Sequence, residues 1–495
     1  MARAWDRLDP RDYVRLQETL LVDLVQRFLF PFSPFYRRIF EERGIRPRHI
    51  RRLRDIEKLP LVSREDFEPT PQDAWRPFRA LLRPDERSLK RSAHRALLRR
   101  VAAEKLLRGE ESAERVLAEE FKPVHLHLRQ RGGPVVGYTI RDLSALAQAG
   151  ARALAVMGLR RSDVMFSALP FGPDLPFWEL YYAALGAGMS AFHLGAGEVV
   201  RPAEAAAWMA RAGATALVAQ PGYAEGLLRG APPSSFARLR TLALWAPCEM
   251  AGAHQRYTVR LRSAGATDAG VGVLVGIPEA RAAWAECPAP RADAGTSFGY
   301  HTYPDLELLE VVDAEGRSLD ENEPGELVYT SLDWRGSALL RYRTGIVARR
   351  GITWERCPGC RRTVPRVAPD LSRVEWRARV RGARGPVSVD VADVLPALWR
   401  ATGVPLWQVE ILKGAGPDRS DVVVANLGGA LPRDVEELGR ALAPLGVRCR
   451  AVPFADLRQR MAVGRERAED RVVVRDAASM AARPPRAPAG GGPPP

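Results

Sequence analysis

Between residues 162 and 247 the chain repeats one short theme: SDVMFSALP (162–170), SAFHLGAG (190–197), ATALVAQP (214–221) and TLALWAP (241–247), with helical stretches in between. Apolar runs this short, closed by Pro or Gly, read as strands that end in turns. Their alternation with helices from about 135 to 245 predicts an α/β domain with a largely parallel sheet. The Pro and Gly residues then place loops at strand ends, where sheets of this kind bind ligands.

Working outward, residues 13–30 (YVRLQETLLVDLVQRFLF) carry apolar residues at helical spacing. SLKRSAHRALLRRVAAEKLL and ESAERVLAEEF read as two charged amphipathic helices broken at Gly109, with Leu97, Leu98, Val101 and Leu106 forming a core-facing stripe. LELLEVVDAEGRSL, GELVYTSL and LLRYRTG, within 300–350, read as antiparallel strands joined by turns. WQVEILK and DVVVANL, flanked by helices, predict a small α+β domain. The expected organisation is an N-terminal helical region (1–120), an α/β domain with a β-rich subdomain (121–370), a small C-terminal domain (371–478) and a disordered Pro/Gly tail (479–495).

Composition narrows the function classes. At 495 residues, 46% apolar and 27% charged, the chain has an ordinary globular make-up. The net charge of +15 comes almost wholly from Arg, since Lys58, Lys90, Lys105, Lys122 and Lys413 are the only lysines. That Arg is scattered rather than gathered into a basic stripe, which argues against a nucleic-acid partner. No apolar run approaches the roughly 20 residues of a membrane span, and the charged N-terminus lacks the core of a signal peptide. Five cysteines make a poor disulfide framework, so a reducing cytoplasm is the expected location.

VVGYTIRDL (135–143), ALPFG (168–172), LGAGEV (194–199), AQPGYA (219–224), VGIPEARAAWAECP (275–288), PGELVYTSL (324–332), LLRYRTG (339–345) and CPGCRRTVPR (357–366) occur in one order along residues 30 to 475. As an ordered set they resemble the phenylacetate–coenzyme A ligase branch of the adenylate-forming enzymes. The resemblance implies a large N-terminal domain binding nucleotide and acyl group, a small C-terminal domain, and joining of a carboxylate to ATP as an acyl-adenylate before transfer to coenzyme A. That chemistry needs a loop of backbone N–H groups and hydroxyls around the triphosphate, with Mg²⁺ to offset its charge. It also needs an acid on the ribose hydroxyls and a cation, a lysine in this family, beside the reacting phosphate.

Several family positions hold other residues here. The phosphate-loop interval HLHLRQRGGPVVGYT keeps Gly132 and Gly133, but no Ser or Thr lies between Lys122 and Tyr138. Arg129 and Arg131 offer charge in place of hydroxyls, or the segment is a shortened surface turn, and His125 and His127 read as strand residues. The adenine-and-metal motif, aromatic–Gly–Ser–Thr–Glu in the family, is VGIPE: Gly276 and Glu279 match, Glu279 as a Mg²⁺ ligand, while Val275 lacks the aromatic ring and Pro278 both hydroxyl and N–H. Glu249 matches an acid near the base pocket, or is a surface residue. The ribose acid after YRTG is replaced by Ile346, a loss of about 1.5–3 kcal/mol per charged hydrogen bond. Arg341 and Arg343 remain, as ligands or as braces for the strand. The lysine position falls in VGRERAEDRVVVRD, leaving Arg465 and Arg467 as stand-ins of different geometry.

Cys357 and Cys360 form a C-x₂-C knuckle with the spacing used for Zn²⁺. In some ligases of this branch cysteines and a histidine in similar segments hold a structural zinc, which adds Cys287 and His301 to the set. The alternative is a reduced thiol pair beside an unrelated cysteine, and Cys248 and Cys449 read as ordinary thiols.

The functional expectation is a carboxylate–coenzyme A ligase-like protein, acting on an aryl or acyl acid with ATP, Mg²⁺ and coenzyme A, with altered nucleotide motifs. Two alternatives stay open: an inactive homologue serving as a binding or scaffold protein, and an acyl transferase using a preformed activated acyl group. A homodimer or a protein partner is compatible with each.

Overall fold

The computed structural model describes all residues except 1–4, 85–94, 128–131, 173–174, 197–198, 247–251, 278, 289–296, 383–384, 402, 462–470 and 477–495. Arg129, Arg131, Cys248, Glu249, Pro278, Arg465, Arg467 and the Pro/Gly tail lie outside the described residues. The chain divides into two units, Met1–Val374 and Glu375–Pro495. The segment expected to open the small domain at residue 371 instead supplies a strand, Leu371–Arg373, that completes a sheet of the first unit.

The alternating runs form the centre of a nine-stranded sheet in the first unit. Strands β1 (His125–His127) and β2 (Val136–Tyr138) make a separate antiparallel pair. In the large sheet, β3 (Val164–Ala168), β4 (Ser190–His193), β5 (Ala216–Ala219), β6 (Thr241–Ala246) and β7 (Gly270–Val275) are parallel, in the order β7-β6-β5-β3-β4. The order reverses between β3 and β5, so a crevice is expected at their carboxyl ends. ALPFG, AQPGYA, WAPCEM and VGIPE all start at carboxyl ends of these parallel strands.

Beyond β7 the sheet turns antiparallel through the short strands β8 (Trp284–Glu286) and β9 (Tyr300–His301). The 300–350 region gives an antiparallel four-stranded sheet: β10 (Glu307–Val312), β11 (Gly325–Ser331), β12 (Tyr342–Ala348) and the strand Leu371–Arg373. The second unit has its own four-stranded sheet, which includes Leu406–Lys413 and Val422–Gly428, and a hairpin of Arg377–Gly382 with Gly385–Asp390. No helix among the described residues is long and apolar enough to cross a membrane.

Helix α1 (Pro10–Asp23) runs into a π-helical turn at Leu24–Leu29. Helices α2 (Arg95–Arg108) and α3 (Glu110–Phe121) pack on each other and break at Gly109, whose φ of +89° favours glycine. The apolar stripe of α2 is not core-facing as expected. Leu97, Leu98 and Val101 are only half-buried and Leu106 is 87% exposed. Packing of one helix on one neighbour uses a narrow seam, and Leu106 lies beyond it.

Helix α4 (Ile140–Val156) starts at a reciprocal cap: Thr139 Oγ1 accepts from the Asp142 N–H (3.2 Å) and Asp142 accepts from the Thr139 N–H (3.0 Å). The same carboxylate accepts the N–H groups of Arg335 (3.0 Å) and Gly336 (2.6 Å), which fixes the 333–337 turn to the helix start. Helix α5 (Leu175–Ala187) crosses α4 closely, because a Cβ on Gly150 would lie 2.6 Å from that of Ala183. Asp142→Ala is expected to destabilise the chain by about 2–4 kcal/mol, since three backbone donors lose their acceptor. Urea denaturation followed by tryptophan fluorescence measures it, and an unchanged midpoint contradicts this account of the cap.

Candidate functional site

Three segments far apart in sequence meet around Arg281. Its side chain is 1% exposed; Nη1 donates to the Gly137 carbonyl (3.1 Å), and Nη2 donates to the Ser337 carbonyl and hydroxyl (2.6 Å to Oγ). The Gly137 N–H donates in turn to Ser337 Oγ (2.9 Å). The guanidinium lies over the rings of Tyr138 and Trp334, at 5.3 and 4.9 Å. Gly137 belongs to the strand after the glycine pair, Arg281 to the VGIPE loop, and Ser337 to the turn before LLRYRTG. Sequence reading passed over Arg281, because one more Arg in an Arg-rich chain carries no signal.

Glu279 sits in the loop between β7 and β8, 3% exposed, and accepts a hydrogen bond from Tyr342 Oη (2.9 Å), the tyrosine of YRTG. Val275 is buried at the end of β7. A Cβ on Gly276 would lie 2.8 Å from Cζ2 of Trp245, so this indole packs against the glycine from β6. An aromatic ring therefore stands beside the motif although Val275 supplies none. The cue lay in WAP, at the end of the neighbouring strand.

Gly132 and Gly133 have φ of +85° and +99°, which suits glycine and turns the chain before β2. The Glu68 carboxylate, paired with Arg64 at 2.6 Å, would lie 2.7 Å from a Cβ on Gly132. An acid thus lies against the glycine pair. On β12, Arg343 is paired with Glu326 at 2.6 Å, and Glu326 also accepts the Gly345 N–H (3.0 Å). Ile346 is fully buried, and its N–H bonds Thr344 Oγ1 (3.1 Å) rather than any ligand-facing group. Arg341 braces the strand through Glu310 (2.9 Å) and the Leu59 carbonyl (3.0 Å).

His125 and His127 share a face of β1 with their Nε2 atoms 2.8 Å apart. Burial, helped by the nearby His125 and the Arg281 charge, pushes His127 down to about 3, so the buried ring is neutral beside the guanidinium. His125 packs edge-on against Trp178 at 4.7 Å.

Cys287, His301, Cys357 and Cys360 place their ligand atoms within 4.8 Å of one another. Cys287 and Cys357 sulfurs are 3.6 Å apart, and Cys360 Sγ lies 3.2 Å from His301 Nε2. Zn–S and Zn–N bonds of about 2.3 and 2.0 Å put tetrahedral ligands about 3.5–3.8 Å apart, close to this spacing. His301 Nδ1 lies 3.1 Å from the Ala285 carbonyl, a bond that leaves the Nε2 lone pair for a metal. A Cβ on Gly359 would strike the Phe298 ring at 2.6 Å, so the knuckle needs a glycine between its cysteines. The donor set fits a closed zinc site.

Two buried acids hold the segment between Glu279 and Cys287. Glu179 accepts the Ala283 N–H (2.9 Å), and Glu307 accepts from Trp284 Nε1 (2.8 Å) and the Tyr303 N–H (3.0 Å). Burial pushes both carboxyls up from 4.5 to about 8. In the folded chain they keep protons that the unfolded chain has released, so their contribution to stability is lost as pH rises from 4.5 through about 8. Glu179→Gln is expected to flatten the fall in unfolding free energy between about pH 5 and 8. Denaturation at a series of pH values checks this, and a slope equal to that of the unmodified chain contradicts it.

No protein-family model matches the chain. Its sequence is 28% identical over 429 residues to the phenylacetate-coenzyme A ligase of Thermus thermophilus, covering 84% of this chain and 82% of that relative. Its fold matches 2-hydroxyisobutyryl-CoA ligase in the postadenylation state with a TM-score of 0.70 at 19% identity, over 96% of this chain and 92% of that one. Against the same ligase in its thioesterification state the TM-score is 0.57 at 20% identity. With the ordered motifs on this fold, the chain resembles phenylacetate–coenzyme A ligase in sequence and shares the fold of the coenzyme A ligases it is compared with.

Proposed function

We propose that this protein is a carboxylate–coenzyme A ligase-like protein of the cytoplasm, which activates an aryl or acyl acid with ATP and passes the acyl group to coenzyme A. The observation that carries the reading is the meeting of three motif segments, through Arg281 with Gly137 and Ser337 and through Glu279 with Tyr342. In this reading the backbone N–H groups at Gly132 and Gly133 face the triphosphate, and Glu279 holds the Mg²⁺. Trp245, packed against Gly276, offers the base an aromatic surface in place of Val275. By the family resemblance Arg465 or Arg467 takes the lysine's role, and Glu249 matches the acid of the base pocket. Position 346 gives the ribose no acceptor, and Glu326, the acid beside Gly345, already serves Arg343. Nucleotide affinity is therefore weak, with each lost charged hydrogen bond costing about 1.5–3 kcal/mol.

Calorimetry should detect ATP·Mg²⁺ and AMP binding at millimolar concentration, followed by carboxylate-dependent pyrophosphate release. No binding of either nucleotide contradicts the ligase reading and favours an inactive binding homologue. Zinc at Cys287, His301, Cys357 and Cys360 would supply a structural cross-link, with all four positions taken by protein and none open for chemistry. Metal analysis should find about one Zn per chain, lost in a Cys357→Ser/Cys360→Ser variant. A purified chain without zinc contradicts this assignment.

A further inference from the structure

We infer that the Cys287, His301, Cys357 and Cys360 cluster positions Glu279, by fixing the β7–β8 hairpin that carries it. The inference rests on the zinc and nucleotide readings above and adds a physical link between them.

Glu279 and Cys287 are eight residues apart on one strand-and-loop segment, and side chains from elsewhere grip that segment along its length. Tyr342 holds Glu279 (2.9 Å), Gly137 and Ser337 hold Arg281, and Glu179 holds the Ala283 N–H (2.9 Å). Glu307 holds Trp284 (2.8 Å), and His301 reaches the Ala285 carbonyl (3.1 Å). Glu286 bonds His254 (2.7 Å) and the Val273 N–H (3.0 Å). Cys287 then joins the metal cluster.

The strands themselves are too short to hold this arrangement. β7 and β8 pair at two positions, Leu274 with Ala285 and Val275 with Trp284, and β8 and β9 also pair at two, Ala285 with His301 and Glu286 with Tyr300. Ladders of two residues are marginal by themselves. The grips also include a buried guanidinium and four buried carboxyls, those of Glu179, Glu279, Glu286 and Glu307, whose partners must stay in place to offset desolvation. A metal joining the end of β8, the end of β9 and the 357–360 knuckle supplies the rigidity the ladders lack. His301 takes part twice, as a ligand through Nε2 and as a clamp on Ala285 through Nδ1. With the cluster closed, Glu279 is held against Tyr342. With it open, the two-residue ladders and the side-chain grips hold the segment without that cross-link.

The test compares the zinc-loaded full chain with the same chain after zinc removal and washing out of the chelator, using amide hydrogen exchange and ATP titrations with and without Mg²⁺. Exchange over residues 279–287 should accelerate at least tenfold on zinc removal, while β5 and β6 keep their protection. The Mg²⁺-dependent gain in ATP affinity should disappear, as it should in Glu279→Gln, while Mg²⁺-independent binding stays. Unchanged exchange over 279–287 in zinc-free protein overturns the inference, as does a chain that takes up no zinc. If zinc removal exposes β5 and β6 as well, Cys360→Ser decides. It leaves three ligands in the cluster, and it should lose zinc, keep β5 and β6 protected and still exchange faster over 279–287. Exchange over 279–287 unchanged in that variant without zinc overturns the inference. If the zinc-loaded chain binds no ATP, the nucleotide reading fails by itself, and the exchange result still decides whether the cluster fixes the hairpin.

Discussion

A guanidinium buried to 1% exposure has to be hydrogen-bonded or the fold loses several kcal/mol. Arg281 meets that demand at its two Nη groups without an acid among the described residues, by reaching carbonyls at Gly137 and Ser337 and the Ser337 hydroxyl, while its Nε has no hydrogen-bond partner among them. Its location therefore requires β2, the VGIPE loop and the turn before LLRYRTG to be in place together. Tyr138 and Trp334 flank the charge with ring faces, and His127 is kept neutral beside it. Asp142 fastens the same turn from the helix side through Arg335 and Gly336. A site assembled this way forms cooperatively, since removing any one segment strands a buried charge.

Around that frame the chain has kept positions and exchanged chemistry. Val275 is apolar, yet the Trp245 indole from the adjacent strand lies against Gly276. Ile346 accepts nothing, and the nearest carboxylate at Gly345, that of Glu326, is already engaged with Arg343. Glu68 brings a negative charge to the glycine pair, where a triphosphate would prefer donors. Glu279 alone keeps both its identity and a motif partner, Tyr342. Gly132, Gly133 and Glu279 stay on the side proposed for phosphate and metal, while Val275 and Ile346 lack the groups that would touch base and ribose.

Much of the architecture was legible because its signals are local. Strand-length apolar runs closed by Pro or Gly marked the parallel sheet, and the C-x₂-C spacing marked Cys357 and Cys360, to which the family resemblance added Cys287 and His301; the four side chains do converge. Features set by neighbours were not legible. Arg281 looks like any other arginine until the fold buries it, and Trp245 is one apolar residue of a strand run until β6 is set beside β7. The α2 stripe shows the limit of periodicity: it reports that a helix has an apolar face, not how wide its partner is, and Leu106 falls outside the seam with α3. The small-domain boundary moved because Leu371–Arg373 pairs with β12, a long-range contact that composition does not mark.

The central claim is that the three segments joined at Arg281 still frame a nucleotide site. Its most direct measurement is a crystal structure of the full chain with a non-hydrolysable acyl-adenylate analogue. Density bounded by Gly132–Gly133, by Trp245 and the Gly276–Glu279 loop, and by Thr344–Gly345 is predicted. A soaked or co-crystallised chain with that volume filled by Trp245 and Glu68, and the analogue absent or bound elsewhere, would contradict it.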